Sequence, residues 1–252
     1  MQRMEWYMTA AKNIGLPSLI RLQAEKHLRK RKKYARLTAK ELRSPVWARK
    51  GSSDLYVFHD IFIKREYSCL DHVEKPALII DCGANVGYSS VYFLSRYPQC
   101  LVISVEPDPE NCALLQRNVA PYGNRCRVVQ AAVWWRSEPL CFKVPTAPGA
   151  EWACSVDNAN SAVGPPIEAV TIPELLQTLP GSRVSILKID IEGSEYELFN
   201  HDTSWLDLVD NIVIELHGNA CREKFFEAIE RRTPTVSFSG ELTCCVFNEP
   251  PK

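Results

Sequence analysis

Two carboxylates two positions apart, Asp190 and Glu192, follow the apolar run Val184-Ser-Ile-Leu-Lys-Ile. On a strand that spacing puts both side chains on one face. Crowded like charges raise the pKa of at least one of them, which suits a general base working near neutral pH. Glu215 and His217 repeat the pattern at the end of Asn211-Ile-Val-Ile. His217 is the leading candidate for the base, because an ordinary imidazole pKa of about 6.5 leaves a neutral fraction at physiological pH; the competing reading is a structural histidine. Asp190 and Glu192 complete the catalytic candidates. The same four side chains could hold a divalent cation, a reading ranked below direct base catalysis, so no metal is assigned. Glu195 falls where an acid favours the first turn of a helix.

A second constellation lies upstream. Ala77-Leu-Ile-Ile-Asp81 empties into Cys82-Gly83-Ala84-Asn85-Val86-Gly87, and a further apolar run ends on Glu106. The order is strand, glycine turn, helix, strand, acid. In a βαβ unit the glycines let backbone approach a ligand, and the acid accepts hydrogen bonds from ribose hydroxyls. From Gly87 to Glu106 is 19 positions (106 − 87), close to the roughly 20 of that geometry. Only two glycines are present, and Asp81 at the strand end would repel a pyrophosphate while suiting a cationic amino-acid ligand. S-adenosylmethionine fits that charge logic better than a dinucleotide. A nucleotide-dependent oxidoreductase on the same fold is the runner-up, and the missing third glycine tells against it.

The elements that must position these residues alternate regularly. Strand Leu78–Asp81, helix Val86–Arg96, strand Val102–Glu106, helix Pro109–Val119 and strand Arg127–Val133 follow one another. This predicts an α/β, doubly wound, mostly parallel sheet with helices on both faces and ligands at the strands' carboxyl ends. Ahead of it, Leu55–Phe58 and Ile61–Ile63 suggest a small hairpin or a strand plus helix between Val46 and Tyr67. Residues 136–180, rich in Pro, Ser, Asn and Gly, read as an edge hairpin and a long loop near the site.

The chain has 252 residues, 46% hydrophobic, with a formal net charge of zero, enough to bury a full core. The charge is uneven: residues 1–50 hold 14 Lys/Arg against 3 Asp/Glu, an excess of 11. The run Arg29-Lys-Arg-Lys-Lys33 is read as the solvated face of a helix from about Pro17 to Leu42, with Leu19, Leu22, Leu28 and Leu37 inward. The alternative is a non-catalytic scaffold that binds RNA or an anionic surface through this helix. Nucleic acid is the less favoured partner, and stable membrane insertion is not expected, since no apolar run approaches a spanning length. Ten cysteines without a Cys-x-x-Cys pair read as buried thiols in a reducing, cytoplasmic compartment. Residues 1–45 could pack on the core or on a second subunit, and oligomeric state stays open.

Taken together, Asp81-Cys-Gly-Ala-Asn-Val-Gly87, Val105-Glu106-Pro-Asp108, Leu187-Lys-Ile-Asp190-Ile-Glu-Gly-Ser-Glu195 and Ile214-Glu-Leu-His217 resemble the FkbM family of S-adenosylmethionine-dependent methyltransferases. The likeness runs from about Val46 to Phe247 and includes Arg49–Phe58 and Glu66-Tyr67. It implies a Rossmann-like class I methyltransferase fold with a terminal antiparallel strand. The organisation is then a basic helical N-terminal extension (1–45), a hairpin or cap segment (46–75) and a cofactor-binding domain (76–252). The implied activity is O-methylation of a hydroxyl on a sugar, polyketide or similar small-molecule or glycan acceptor. By position, Asp81, Gly83, Ala84, Asn85 and Gly87 would hold the methionine portion with Asp190 beside them, Glu106 the ribose, and Ala131 and Ala132 the adenine. Where many relatives place an acid after the third strand, this chain has Val133-Trp134-Trp135-Arg136, which leaves recognition of the adenine to backbone groups or to stacking by Trp134 or Trp135.

Overall fold

The computed structural model describes residues 2–27, 33–143, 155–158, 166–177 and 183–247. At its centre, β3 (Leu78–Cys82), β4 (Leu101–Val105), β5 (Cys126–Val129), β10 (Ile186–Ile189) and β11 (Asn211–Glu215) run parallel. Two antiparallel strands, β12 (Thr235–Ser239) and β13 (Leu242–Val246), extend the sheet to the order β12-β13-β11-β10-β3-β4-β5. The terminal antiparallel element is therefore a pair. The chain winds outward from β3 through β4 to β5, then returns to place β10 on the other side of β3. The point of reversal between β3 and β10 is where an open α/β sheet leaves a crevice at its carboxyl edge.

Alternation along β3 sorts the two faces. Ile79 joins one core, whereas Leu78, Ile80 and Cys82 join the other. The first is roofed by α4 (Tyr88–Arg96) and α5 (Pro109–Val119); Asp108 caps α5 by accepting the Asn111 N–H at 2.7 Å, with Pro109 at the first helical position. The second face is covered by α6 (Ile172–Gln177), α7 (Glu195–Phe199) and α8 (Asn219–Ile229). The expected strand Arg127–Val133 is divided: β5 stays in the main sheet, and β6 (Ala132–Val133) crosses to a small sheet of order β6-β9-β7-β8, with β7 (Pro139–Lys143), β8 (Ser155–Asn158) and β9 (Pro166–Val170). Residues 144–154, 159–165 and 178–182 of the expected loop lie outside the described residues.

The N-terminal segment departs from the expected single helix. α1 (Gln2–Ile14) and α2 (Leu16–His27) are followed by β1 (Tyr34–Leu37), which pairs antiparallel with β2 (Val46–Arg49). Leu19 and Leu22 are buried as expected, but Leu37 is buried on a strand. A β-branched and aromatic partner strand at Val46-Trp47 gives Tyr34–Leu37 a tertiary use that local propensity does not register. Leu28 and Arg29–Lys32 lie outside the described residues.

Of the two readings for Val46–Tyr67, a strand plus helix is observed. β2 leads into α3 (Asp54–Phe58), a π-helical turn His59–Lys64 and a 3-10 turn Glu66–Leu70. Phe58, Ile61, Phe62, Ile63 and Tyr67 are buried against Tyr88, Tyr92 and Phe93 of α4. Each such side chain contributes about 1.5–3 kcal/mol by leaving water. Arg49 grips Asp54 at 2.8 Å, and buried Asn118 accepts the Trp47 N–H at 2.7 Å while donating to the Val86 carbonyl at 2.8 Å. The cap is thus tied to the glycine turn itself.

The cysteines are not all free thiols. Cys69 in the cap and Cys244 on β13 form a disulfide across a sequence separation of 175, which corrects the reading that every cysteine is a buried thiol and removes that support for a reducing compartment. Proximity across the tertiary fold, invisible in the cysteine spacing, is what pairs them. Thermal denaturation should place Cys69→Ala below the wild type by about 2–4 kcal/mol, and a reductant should lower the wild type but not the variant. Equal stability would show that the crosslink does not form in solution.

Candidate active site

The carboxyl ends of β3, β4, β10 and β11 meet the cap around a cavity of ≈ 400 Å³. Gly83, Ala84, Asn85, Glu106, Ala131 and Ala132 line it, as do Asp190, Glu192 and Glu215. Sequence-distant candidates from four strands are therefore brought to one hollow. Three are set back from its wall. Asp81 is fully buried beneath α4, Gly87 starts that helix, and His217 stands behind the carboxylates.

Gly83 explains the tight turn. Its φ is +75°, and a Cβ there would fall 1.7 Å from the Asp190 carbonyl oxygen, so only glycine lets the turn press against the end of β10. Gly87, at φ +87°, would meet Leu115 Cδ1 at 2.5 Å. Glu106 fixes the turn from the other side: its carboxylate accepts the Asn85 N–H at 2.7 Å, the Asp108 N–H at 3.1 Å and the Asn111 amide at 3.1 Å. Burial pushes its carboxyl up to about 7 despite those bonds.

Lys188, which sequence reasoning passed over inside an apolar strand, is the buried hub of the site. Its Nζ donates to the Gly83 carbonyl at 2.6 Å and lies 3.3 Å from Asp81 and 3.7 Å from Asp190. Burial by itself would lower its pKa, but Asp81 and Asp190 more than offset this and raise it. Asp81 also accepts both Ser89 and Ser90 hydroxyls at 2.6 Å. It thus holds the frame beneath the cavity and is not on its wall.

His217 is held by a residue that the sequence assigned to helix favouring. Glu195, fully buried, meets Nδ1 at 3.0 Å and accepts the Ile191 and Gly193 N–H groups. The other ring nitrogen, Nε2, faces Glu192 at 3.4 Å, Glu215 at 3.7 Å and Asp190 at 3.9 Å. The hydrogen bond to Glu195 leads the causes that raise the imidazole to about 9, against burial. Burial first, then the charge of Asp190, raises Glu192 to about 8 and Glu215 to about 7. The carboxylates crowd together as expected but not on a strand face, because β10 ends at Ile189 and β11 at Glu215 and Glu192 turns back at φ +53°; the imidazole is not the freely neutral group that an ordinary pKa suggests.

The cap supplies residues that sequence reasoning left unassigned: Tyr56, Asp60, Glu66 and Tyr67 reach the cavity, as does Glu241 from the β12–β13 turn. Burial raises Glu66 to about 7. The adjacent Glu66-Tyr67 pair after an aromatic run was the available signal. Trp134 and Trp135 do not line the cavity: Trp134 is buried and donates to Glu138 at 3.0 Å, and Trp135 stacks on His201 at 3.7 Å. Adenine stacking by either tryptophan is not supported.

The hollow suits an elongated cation with one polar, acid-lined end and one smaller, apolar end at Ala131, Ala132 and Val133. Asn85 Oδ1 is buried within this wall without a hydrogen-bond partner, as a group awaiting a polar ligand would be. That donor set fits S-adenosylmethionine. Among the described residues no helix is long and apolar enough to cross a membrane.

Residues 81–234 match the Methyltransferase FkbM domain family. Methyltransferase 1 of Beauveria bassiana (strain ARSEF 2860) is 26% identical over 184 residues, covering 64% of this chain and 72% of that protein. Methyltransferase sdnD of Sordaria araneosa is 25% identical over 193 residues, covering 64% and 73%. The crystal structure of precorrin-6y C5,15-methyltransferase from Geobacter metallireducens GS-15 superposes with a TM-score of 0.45 at 13% identity, covering 73% of this chain and 87% of that one. The domain match spans more than half of the sequence and includes the glycine turn, Glu106 and the carboxylate cluster with His217, so the oxidoreductase reading is set aside: the chain belongs to the FkbM methyltransferase family, with S-adenosylmethionine as its cofactor.

Proposed function

We propose that this enzyme methylates a hydroxyl oxygen of a sugar, polyketide or similar metabolite, with Asp190, Glu192 and His217 taking up the proton. The observation that carries this reading is the carboxylate-crowded imidazole set immediately behind a cavity that Asp190 and Glu192 line together with the glycine turn. The cofactor supplies an electrophilic methyl group, whose bond to sulfur breaks as the acceptor oxygen bonds to carbon. The chain's own part is to align the reactants and remove the proton. The Gly83–Gly87 turn and Asp190 would hold the methionine end, Glu106 the ribose, and Ala131 and Ala132 the adenine.

Alignment does most of the work, since holding two reactants in line is worth about 7–11 kcal/mol of the barrier. Proton removal adds about two to four orders of magnitude. Glu195 fixes the ring so that Nε2 faces the carboxylates, and the cap closes the cavity with Tyr56 and Glu66 on its acceptor side. The arriving cofactor is cationic and favours loss of protons from the crowded cluster.

Calorimetric titration with S-adenosylhomocysteine should show binding that Gly83→Val and Glu106→Ala each weaken by more than about tenfold. No binding to the folded wild type would sink the cofactor placement. His217→Ala should lower kcat by about two to four orders of magnitude while leaving that affinity nearly intact; activity near wild type would remove His217 from the reaction. Because Glu192 and His217 must give up protons before accepting one, and both are raised, kcat/KM should climb from pH 7 to pH 9. The upper part of that climb should vanish in His217→Ala, and a profile already flat above pH 7 would contradict the assignment.

A further inference from the structure

We propose that Asp190, Glu192 and His217 bind one divalent cation of the Mg²⁺/Mn²⁺ class, with Glu195 orienting the imidazole. Each offers one ligand atom, and these atoms lie within 4.8 Å of one another. A single ion between them would reach all three with small side-chain rotations. His217 is built as a ligand: Nδ1 is engaged by a fully buried carboxylate that is itself pinned by two backbone N–H groups, so Nε2 points at Asp190 and Glu192. Carboxylate–histidine–metal relays have this arrangement.

Two further observations bear on the same cluster. Ser194 is buried, lines the same cavity as Asp190 and Glu192, and has an Oγ without a hydrogen-bond partner, which a metal-bound water would satisfy. Four carboxylates, those of Asp190, Glu192, Glu195 and Glu215, surround one imidazole, and the nearest other cation, Lys188, is shared with Asp81 and two backbone carbonyls. Even with the ring protonated the cluster stays negative. Binding exchanges the Nε2 proton, released to solvent, for the ion. Carboxylate oxygens favour Mg²⁺ and Mn²⁺, and the imidazole shifts preference towards Mn²⁺. With the ion on Nε2, His217 no longer takes up the acceptor's proton; the ion would hold and polarise the hydroxyl and the proton would pass to a carboxylate oxygen that does not ligate the ion. That use rests on the methyl-transfer reading; the binding itself does not.

The test is titration of chelator-treated full chain with Mn²⁺, following the electron paramagnetic resonance signal of free aquated Mn²⁺, with S-adenosylhomocysteine calorimetry on the same samples. One ion per chain, displaced by excess Mg²⁺, is expected. Affinity should fall more than tenfold in Asp190→Asn and Glu192→Gln, and about 10–100-fold in Glu195→Gln. If Glu195→Gln fails to fold by circular dichroism, the part-exposed Glu192→Gln decides. A folded chain that leaves the free Mn²⁺ signal unchanged up to millimolar concentration, or binding that survives the ligand substitutions, overturns the proposal. Mn²⁺ bound by a chain that does not bind S-adenosylhomocysteine would leave the cation site standing and overturn the methyl-transfer reading instead.

Discussion

The site depends on a buried ammonium. Lys188 rises from β10 beneath the cavity and holds together Asp81 at the end of β3, Asp190 at the end of its own strand and the carbonyls of Cys82 and Gly83. An unpaired charge at that depth would be prohibitive, and removing one partner of such a pair costs about 3–5 kcal/mol. The pairing therefore obliges the two strand ends to stay in register and holds the glycine turn against β10. Gly83 completes the constraint sterically, because the carbonyl of Asp190 occupies the space that any side chain there would need.

Above this frame the chemistry is a problem of too many acids. Asp190, Glu192, Glu195 and Glu215 converge on His217. Burial and the charge of Asp190 raise Glu192 and Glu215, and the hydrogen bond to Glu195 raises His217. A cation brought to this negative field would favour loss of protons from Glu192, Glu215 and His217.

The cap converts an open crevice into an enclosed cavity. Its aromatic face is buried against α4, Asn118 links β2 to the glycine turn, and the Cys69–Cys244 bond joins it to the opposite, antiparallel edge of the sheet. Tyr56, Asp60, Glu66 and Tyr67 consequently line the cavity from a segment that precedes the sheet in sequence. A π-helical turn at His59–Lys64 aims Asp60 and Ile61 inward, a use such turns often have at functional sites.

By itself the sequence determined the parallel sheet, the helix Pro109–Val119 to the residue, the glycine turn and the strand-end acids, because these are written in local periods, caps and punctuation. Asp190, Glu192, Glu215 and His217 were legible as ionisable groups gathered at strand ends, but not through a shared strand face: β10 ends at Ile189 and β11 at Glu215, and the turns beyond them, with Glu192 at φ +53°, bring the groups together. Tertiary structure alone decided the rest. Lys188 looked like an interruption of an apolar strand until its partners arrived from β3. Glu195 looked like a helix-terminus acid until His217 came within 3.0 Å. Trp134 and Trp135 turned away from the cavity because β6 leaves the main sheet, and Leu37 became a strand residue because β2 was there to pair with it. Each of these depends on residues far apart in the chain, and a local pattern carries no record of which distant charge, ring or strand will stand opposite once the sheet has formed.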